Sequence, residues 1–213
     1  MMLARMPLEY WDDRKKKYVL YVSSQQHSLD CERFPFNHIP CRVFLDTNVI
    51  NCLVKWRSQI FEREPIPPNT EETLALDIEA LMHVFHVGSR ADWDLVGSPK
   101  TLDELSRTRN PDLRDDLLDY GIQIVDHLPK TDDRQLTFEF AHHLFDSPSV
   151  IALPDIADRE LIGNAITLEC DAFCTCDRST IVSKRNKLHR LPLRILTPAE
   201  WWSHVKPWAG LWG

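Results

Sequence analysis

The sequence predicts an α/β fold: a central, mainly parallel, twisted sheet of about five strands flanked by helices. Three observations predict it. Short apolar runs of strand length alternate with longer segments of helical pattern. The run Val43-Phe44-Leu45 is apolar throughout instead of alternating, as expected for a strand covered on both faces. The helical segments open on start signals such as Ser98-Pro99, Asn110-Pro111 and Thr197-Pro198.

The elements follow in order. Residues 1–40 read as an N-terminal extension, with a turn at Trp11–Arg14, a strand over Lys17–Ser23 and a linker over Cys31–Pro40. Val43-Phe44-Leu45 is the first strand of the sheet and stops at Asp46-Thr47-Asn48. Val49–Phe61 reads as a helix with Ile50, Leu53, Val54 and Ile60 inward. After the Pro65–Pro68 loop a helix runs from Asn69/Thr70 to about Val87. Leu95-Val96 is the second strand. Ser98-Pro99 opens a helix in which Thr101 and Glu104 have capping-box spacing. The helix opened by Asn110-Pro111 is expected to stop at Gly121, before a third strand at Ile122–Val125. Thr131–Phe145 reads as a helix, Pro148–Pro154 as a loop and Asp155–Cys170 as a helix. Ala172–Thr175 and Leu193–Leu196 are the fourth and fifth strands, and Thr197-Pro198-Ala199-Glu200 starts the last helix.

Composition bounds the function. The chain has 213 residues, 43% hydrophobic and 27% charged, which is ordinary for a globular protein. Its six glycines form neither GxGxxG nor a Walker-type loop, so glycine-dependent nucleotide folds are excluded. GxSxG and HExxH are absent too. The net charge is −7, against binding of nucleic acid by bulk charge alone. It is uneven: residues 1–177 carry −13 and the segment from Arg178 carries +6. No signal-peptide or membrane-length apolar run is found, so a cytoplasmic protein with no membrane association and six reduced cysteines is expected.

In parallel sheets ligands bind beyond the carboxyl ends of the strands. Asp46 and Asp177 directly follow strands, Glu104 lies early in the helix after one, and Asp158 is in the first turn of its helix. Each acid has a structural alternative: Asp46 and Asp177 as N-caps, Glu104 as a capping-box partner, Asp158 as a complement to its helix dipole. Carboxylates gathered at one edge repel each other and are tolerated when a cation neutralises them or some are protonated. An all-oxygen donor set suits Mg²⁺ or Mn²⁺, which support phosphodiester hydrolysis. Thr47, Asn48 and Thr175 stand beside these acids as groups able to orient them.

These residues resemble the PIN-domain nucleases. The match runs through Val43–Ile50 with its Asp-Thr-Asn signature, Ser98–Leu105, Asp158–Ala165, Ala172–Asp177 and Arg194–Trp201, about residues 41–202. It divides the chain into an extension (1–40), a PIN-like domain (41–202) and a Trp-containing tail (203–213). The resemblance implies metal ligation and catalysis by Asp46, Glu104, Asp158 and Asp177, with Thr47, Asn48 and Thr175 supporting them. It implies Mg²⁺- or Mn²⁺-dependent RNA cleavage. Many members are toxins, so an antitoxin protein is a candidate partner. The alternative is a non-catalytic PIN-like module that binds RNA or protein. A phosphate-accepting Asp46 is disfavoured, because Asn48 stands where such enzymes need a second Asp.

Arg178, Lys184, Arg185, Lys187 and Arg190 follow Asp177 and are candidate RNA-phosphate contacts. Trp201 and Trp202 are expected to pack the last helix. Trp208 and Trp212 are expected to close the chain's own core, with a homodimer interface or engagement of a partner as the alternative. His83 and His86 share a helix face.

Overall fold

The computed structural model describes residues 8–126, 150–188 and 191–212. Its strands are β1 (Tyr10–Asp12), β2 (Lys17–Val19), β3 (Arg42–Leu45), β4 (Asp94–Val96), β5 (Ala172–Cys174) and β6 (Arg194–Leu196). Its α-helices are α1 (Ser24–Arg33), α2 (Thr47–Lys55), α3 (Arg57–Phe61), α4 (Glu72–Ala91), α5 (Pro99–Ser106), α6 (Pro111–Asp126), α7 (Ile156–Thr167) and α8 (Pro198–Val205). Two compact units result: Pro40–Arg57 with Trp93–Thr197, and Met1–Ile39 with Ser58–Asp92 and Pro198–Gly213.

The Pro40–Arg57/Trp93–Thr197 unit carries a four-stranded, all-parallel sheet in the order β4-β3-β5-β6. Phe44 pairs in register with Phe173, and Cys174 with Leu196. The sheet's centre is buried on both faces, since Val43, Phe44, Leu45 and all of β5 are inaccessible. Phe44 and Phe173 stack at 5.5 Å and pack with Leu153, Leu161, Ile162 and Ile181 into one core. That double coverage explains why the strands read as continuous apolar runs.

The α/β class and the parallel sheet match the sequence reading, but that sheet has four strands among the described residues where about five were expected. Ile122–Val125 is the last turn of α6, not a strand. Gly121 does not stop the helix. A Cβ there would lie 2.9 Å from both Leu102 Cδ2 and Leu105 Cδ1, so the glycine lets α6 approach α5 closely. The Val49–Phe61 helix starts earlier, at Thr47, and breaks at Trp56, the C-cap of α2. The predicted Thr131–Phe145 helix lies outside the described residues.

In the other unit, β1 and β2 form an antiparallel hairpin in which Trp11 sits edge-on to Tyr18 at 5.2 Å. The predicted turn is therefore displaced: Trp11 and Asp12 are in β1, and Lys16 takes the left-handed backbone (φ 51°) that closes the bend. Helix α1, N-capped by Ser23, occupies part of the stretch read as a linker. It has no buried residue, so the sequence carries no helical stripe there. Trp201 and Trp202 of α8 are fully buried. Trp208 Nε1 donates to the Phe34 carbonyl at 2.7 Å, and Phe36 packs against both Trp208 and Trp212. The tail's aromatics thus pack on the N-terminal segment of the same chain. No helix among the described residues is long and apolar enough to cross a membrane.

Candidate functional site

Parallel pairing brings the carboxyl ends of β3 and β5 side by side. The Asp46 amide donates to the Cys174 carbonyl (3.0 Å), and the Thr175 amide to the Leu196 carbonyl (2.9 Å). Asp46 therefore emerges beside the 175–177 turn, and it is only 2% exposed. It occupies the N-cap position of α2, yet its side chain makes no capping hydrogen bond. Its carboxylate is used across the strands instead. Thr175 Oγ1 donates to Asp46 Oδ2 at 2.6 Å, and Asn48 Nδ2 donates to the same oxygen at 2.5 Å. Asn48 Oδ1 accepts from the Cys176 amide at 2.7 Å, which ties α2 to the turn after β5. Thr175 Oγ1 also accepts from the Asp177 amide at 3.0 Å.

Helix α5 delivers Glu104 to the same edge. Thr47 Oγ1 stands between the two carboxylates, 3.3 Å from Asp46 Oδ1 and 3.1 Å from Glu104 Oε2. The capping box differs from the predicted one. Ser98 caps α5 and Thr101 reciprocates, so Glu104 is not spent on the helix start. Glu104 Oε1 is buried with no hydrogen-bond partner. Helix α7 brings Asp158, whose neighbour Asp155 is the N-cap and accepts from the Ala157 amide at 2.8 Å.

A link the sequence reading did not single out aligns α7 with α5. Asn164 Nδ2 donates to Ser98 Oγ at 3.0 Å, with both side chains buried. An Asn flanked by Leu161, Ile162 and Ala165 in the α7 sequence is the signal that points to it.

The electrostatics follow from this crowding. Burial pushes Asp46 up, and the hydrogen bonds from Thr175, Thr47 and Asn48 offset only part of the rise. Glu104 is also raised, first by burial and then by Asp46 and Asp155, against the Thr47 bond and Lys100. Asp158 is pushed up to about 7 by burial and by the charges of Asp46, Asp155, Asp177 and Glu104. Asp177 behaves differently. Burial pushes it up, but bonds from the amides and hydroxyls of Thr180 and Ser179 outweigh this and hold it below the usual range. Its carboxylate caps the turn that follows, one of the two roles its position allowed.

Asp158 yields a pH prediction. Its folded pKa lies above its unfolded value, so the stability it contributes is full below about pH 4 and is lost as pH rises through about 7. For a half-exposed group, screening discounts the penalty to about 1–2 kcal/mol. Asp158→Asn is expected to raise the melting temperature at pH 8 by about 2–8 °C and leave it unchanged at pH 4. Differential scanning fluorimetry across that range checks both limits.

The remaining predicted residues are distributed as follows. Lys184, Arg185 and Lys187 lie on the 3-10 helix Val182–Lys187 after the Asp177 turn. Arg185 Nη1 donates to the Ile195 carbonyl at 3.2 Å, so its guanidinium buttresses β6. Arg178 is half-buried, and Arg190 lies outside the described residues. Among the described residues no three His, Cys, Asp or Glu side chains are gathered tightly enough for a ready-made metal cage. In comparisons with known proteins, no family model, no curated protein and no solved structure matches the chain.

Proposed function

We propose that the chain is a PIN-like, Mg²⁺- or Mn²⁺-dependent ribonuclease whose site is built on Asp46, Glu104 and Asp158, with Asp177 at its edge. One observation carries the reading. Carboxylates from β3–α2, α5 and α7 meet at the carboxyl edge of a parallel sheet: Thr47 Oγ1 lies within hydrogen-bond reach of both Asp46 and Glu104, and the charges of both bear on Asp158. The helix-cap and capping-box alternatives do not account for Asp46 or Glu104, whose side chains make neither bond.

The residues fit a hard divalent cation. The donors are all oxygen, and the buried Glu104 Oε1 lacks a partner. Mg²⁺ keeps several waters and needs only one or two protein carboxylates, so a closed cage is not required. When bound, such an ion lowers the pKa of water and offsets charge building up on a phosphate. The chain's own residues set the stage. Thr175 and Asn48 fix the Asp46 carboxylate, the Thr47 hydroxyl bridges Asp46 and Glu104, and Asn164–Ser98 links α7 to the start of α5. Lys184 and Lys187 are the proposed contacts to the RNA backbone.

Hydrolysis of this type leaves a 5′-phosphate and a 3′-hydroxyl. Mass spectrometry of products from a pooled single-stranded RNA, with Mn²⁺ and with EDTA, tests it. Cation-dependent 5′-phosphates are expected; a 2′,3′-cyclic phosphate would overturn the mechanism. The second reading, a non-catalytic PIN-like binding module, draws on one observation: the Asp177 carboxylate is engaged by its own turn. Under it, RNA is retained but never cut.

A further inference from the structure

The Met1–Ile39/Ser58–Asp92/Pro198–Gly213 unit holds a cavity of about 310 Å³, bounded by residues from all three segments. Its floor is His83 of α4, only 5% exposed and stacked on Trp202 at 4.8 Å with the rings 13° apart. His83 Nε2 is buried and has no hydrogen-bond partner. Burial lowers the His83 pKa to about 4, helped by Arg63, His86 and Lys206. At neutral pH the ring is therefore uncharged and offers one donor and one acceptor.

The walls add two further chemistries. Trp212 and Tyr18 supply aromatic surface. Arg63 and Arg90 supply two exposed guanidiniums, opposed by one carboxylate, Glu9. Both arginines are near enough to His86 to push its pKa down, after the effect of burial. A pair of guanidiniums on a chain of net charge −7 argues for an anion and against a cation. Arg90 Nη1 also donates to the Trp212 carbonyl at 2.9 Å, which fixes the tail as part of the wall.

We infer that this cavity binds a nucleotide: an aromatic base against the His83 and tryptophan surface, and a phosphate at Arg63 and Arg90. Neither half alone satisfies the lining. A bare phosphate leaves the aromatic walls and His83 Nε2 unused, and an uncharged base leaves both guanidiniums unused. The unpartnered His83 Nε2, donor or acceptor according to the tautomer, takes one hydrogen bond with a base edge, which carries both kinds of group. The volume is at the small end of ligand pockets, which suits one nucleotide. The inference does not depend on the ribonuclease reading, because every residue it uses belongs to this unit.

Calorimetry of the full chain in EDTA tests it, with 5′-AMP as the probe and adenosine and inorganic phosphate as controls. Binding of 5′-AMP at one site is expected, at least about tenfold tighter than either control. Arg63→Gln and His83→Phe are each expected to weaken it at least about tenfold. His83→Phe keeps the ring stack and removes the unpaired nitrogen, so its melting temperature is expected to equal or exceed wild type. A 5′-phosphorylated RNA hexamer separates the two sources of this chemistry. Tighter binding than 5′-AMP, lost in His83→Phe, assigns a strand end; weaker binding assigns the free nucleotide. No 5′-AMP binding up to about 1 mM, or equal binding by wild type and His83→Phe, would overturn the inference.

Discussion

Asp46→Asn is expected to reduce cation-dependent RNA cleavage by at least about a hundredfold while leaving the protein folded. The two halves of this result have one cause. Asp46 is almost inaccessible, and burial works against its charged form. A neutral amide of the same shape relieves that. Its oxygen accepts the bonds that Thr175 Oγ1 and Asn48 Nδ2 now give to Oδ2, and its amino group faces Thr47 Oγ1, which can accept. The turn at 175–177 therefore keeps its anchor. What disappears is the negative charge at the centre of the carboxylate set, which the proposed chemistry uses to hold and orient a cation. Single-turnover cleavage of labelled RNA beside a thermal melt separates the two effects. Loss of folding would make Asp46 structural. Undiminished cleavage would remove it from the site.

Phe173→Ala is expected to cost about 3–5 kcal/mol, the largest stability change predicted for a single substitution here. Phe173 sits at the middle of the central strand β5, with no exposed surface. It stacks on Phe44, its register partner in β3, at 5.5 Å and 14° between ring planes. Removing the ring opens a cavity on one face of the sheet, in the core shared with Phe44, Leu153, Leu161 and Ile162. Domains are stable by only about 5–15 kcal/mol, so about a fifth or more of the margin is removed, about 6–20 °C in melting temperature. Urea unfolding measures it. A change below about 1 kcal/mol is what a surface position would give, and would contradict the buried parallel sheet.

Much of the fold is legible in the sequence, for identifiable reasons. Val43–Leu45 and Ala172–Cys174 stand out because a strand buried on both faces needs unbroken apolar residues, whereas the edge strands at Leu95-Val96 and Leu193–Leu196 are short or broken by Arg194. Ile122–Val125 satisfies the same pattern and is helical, because the glycine before it serves helix packing instead of a stop. Helix α1 has no apolar stripe to show, since it buries none of its residues. At the site, the strand-end rule points to Asp46, Asp177 and Glu104, the helix start points to Asp158, and the resemblance implies a ligand role for all four. Their shared electrostatics come from tertiary crowding that spacing does not encode. The Asp177 carboxylate turns towards Ser179 and Thr180, a choice set by the backbone of that turn. The cavity on α4 is hidden for a different reason. His83 and His86 are visible as a pair, but Arg63, Glu9 and Trp212 reach them only through the fold.

The central claim is that Asp46, Glu104 and Asp158 form a divalent-cation site. The most direct test is the melting temperature with and without Mn²⁺, for wild type and Asp158→Asn at one pH. A cation bound only by the folded state and present at 100 times its Kd adds about 2.7 kcal/mol, about 5–10 °C for a chain of this size. The account predicts that gain in the wild type and loss of most of it in Asp158→Asn. A wild type that does not respond to Mn²⁺, or an Asp158→Asn variant that gains as much, would contradict it.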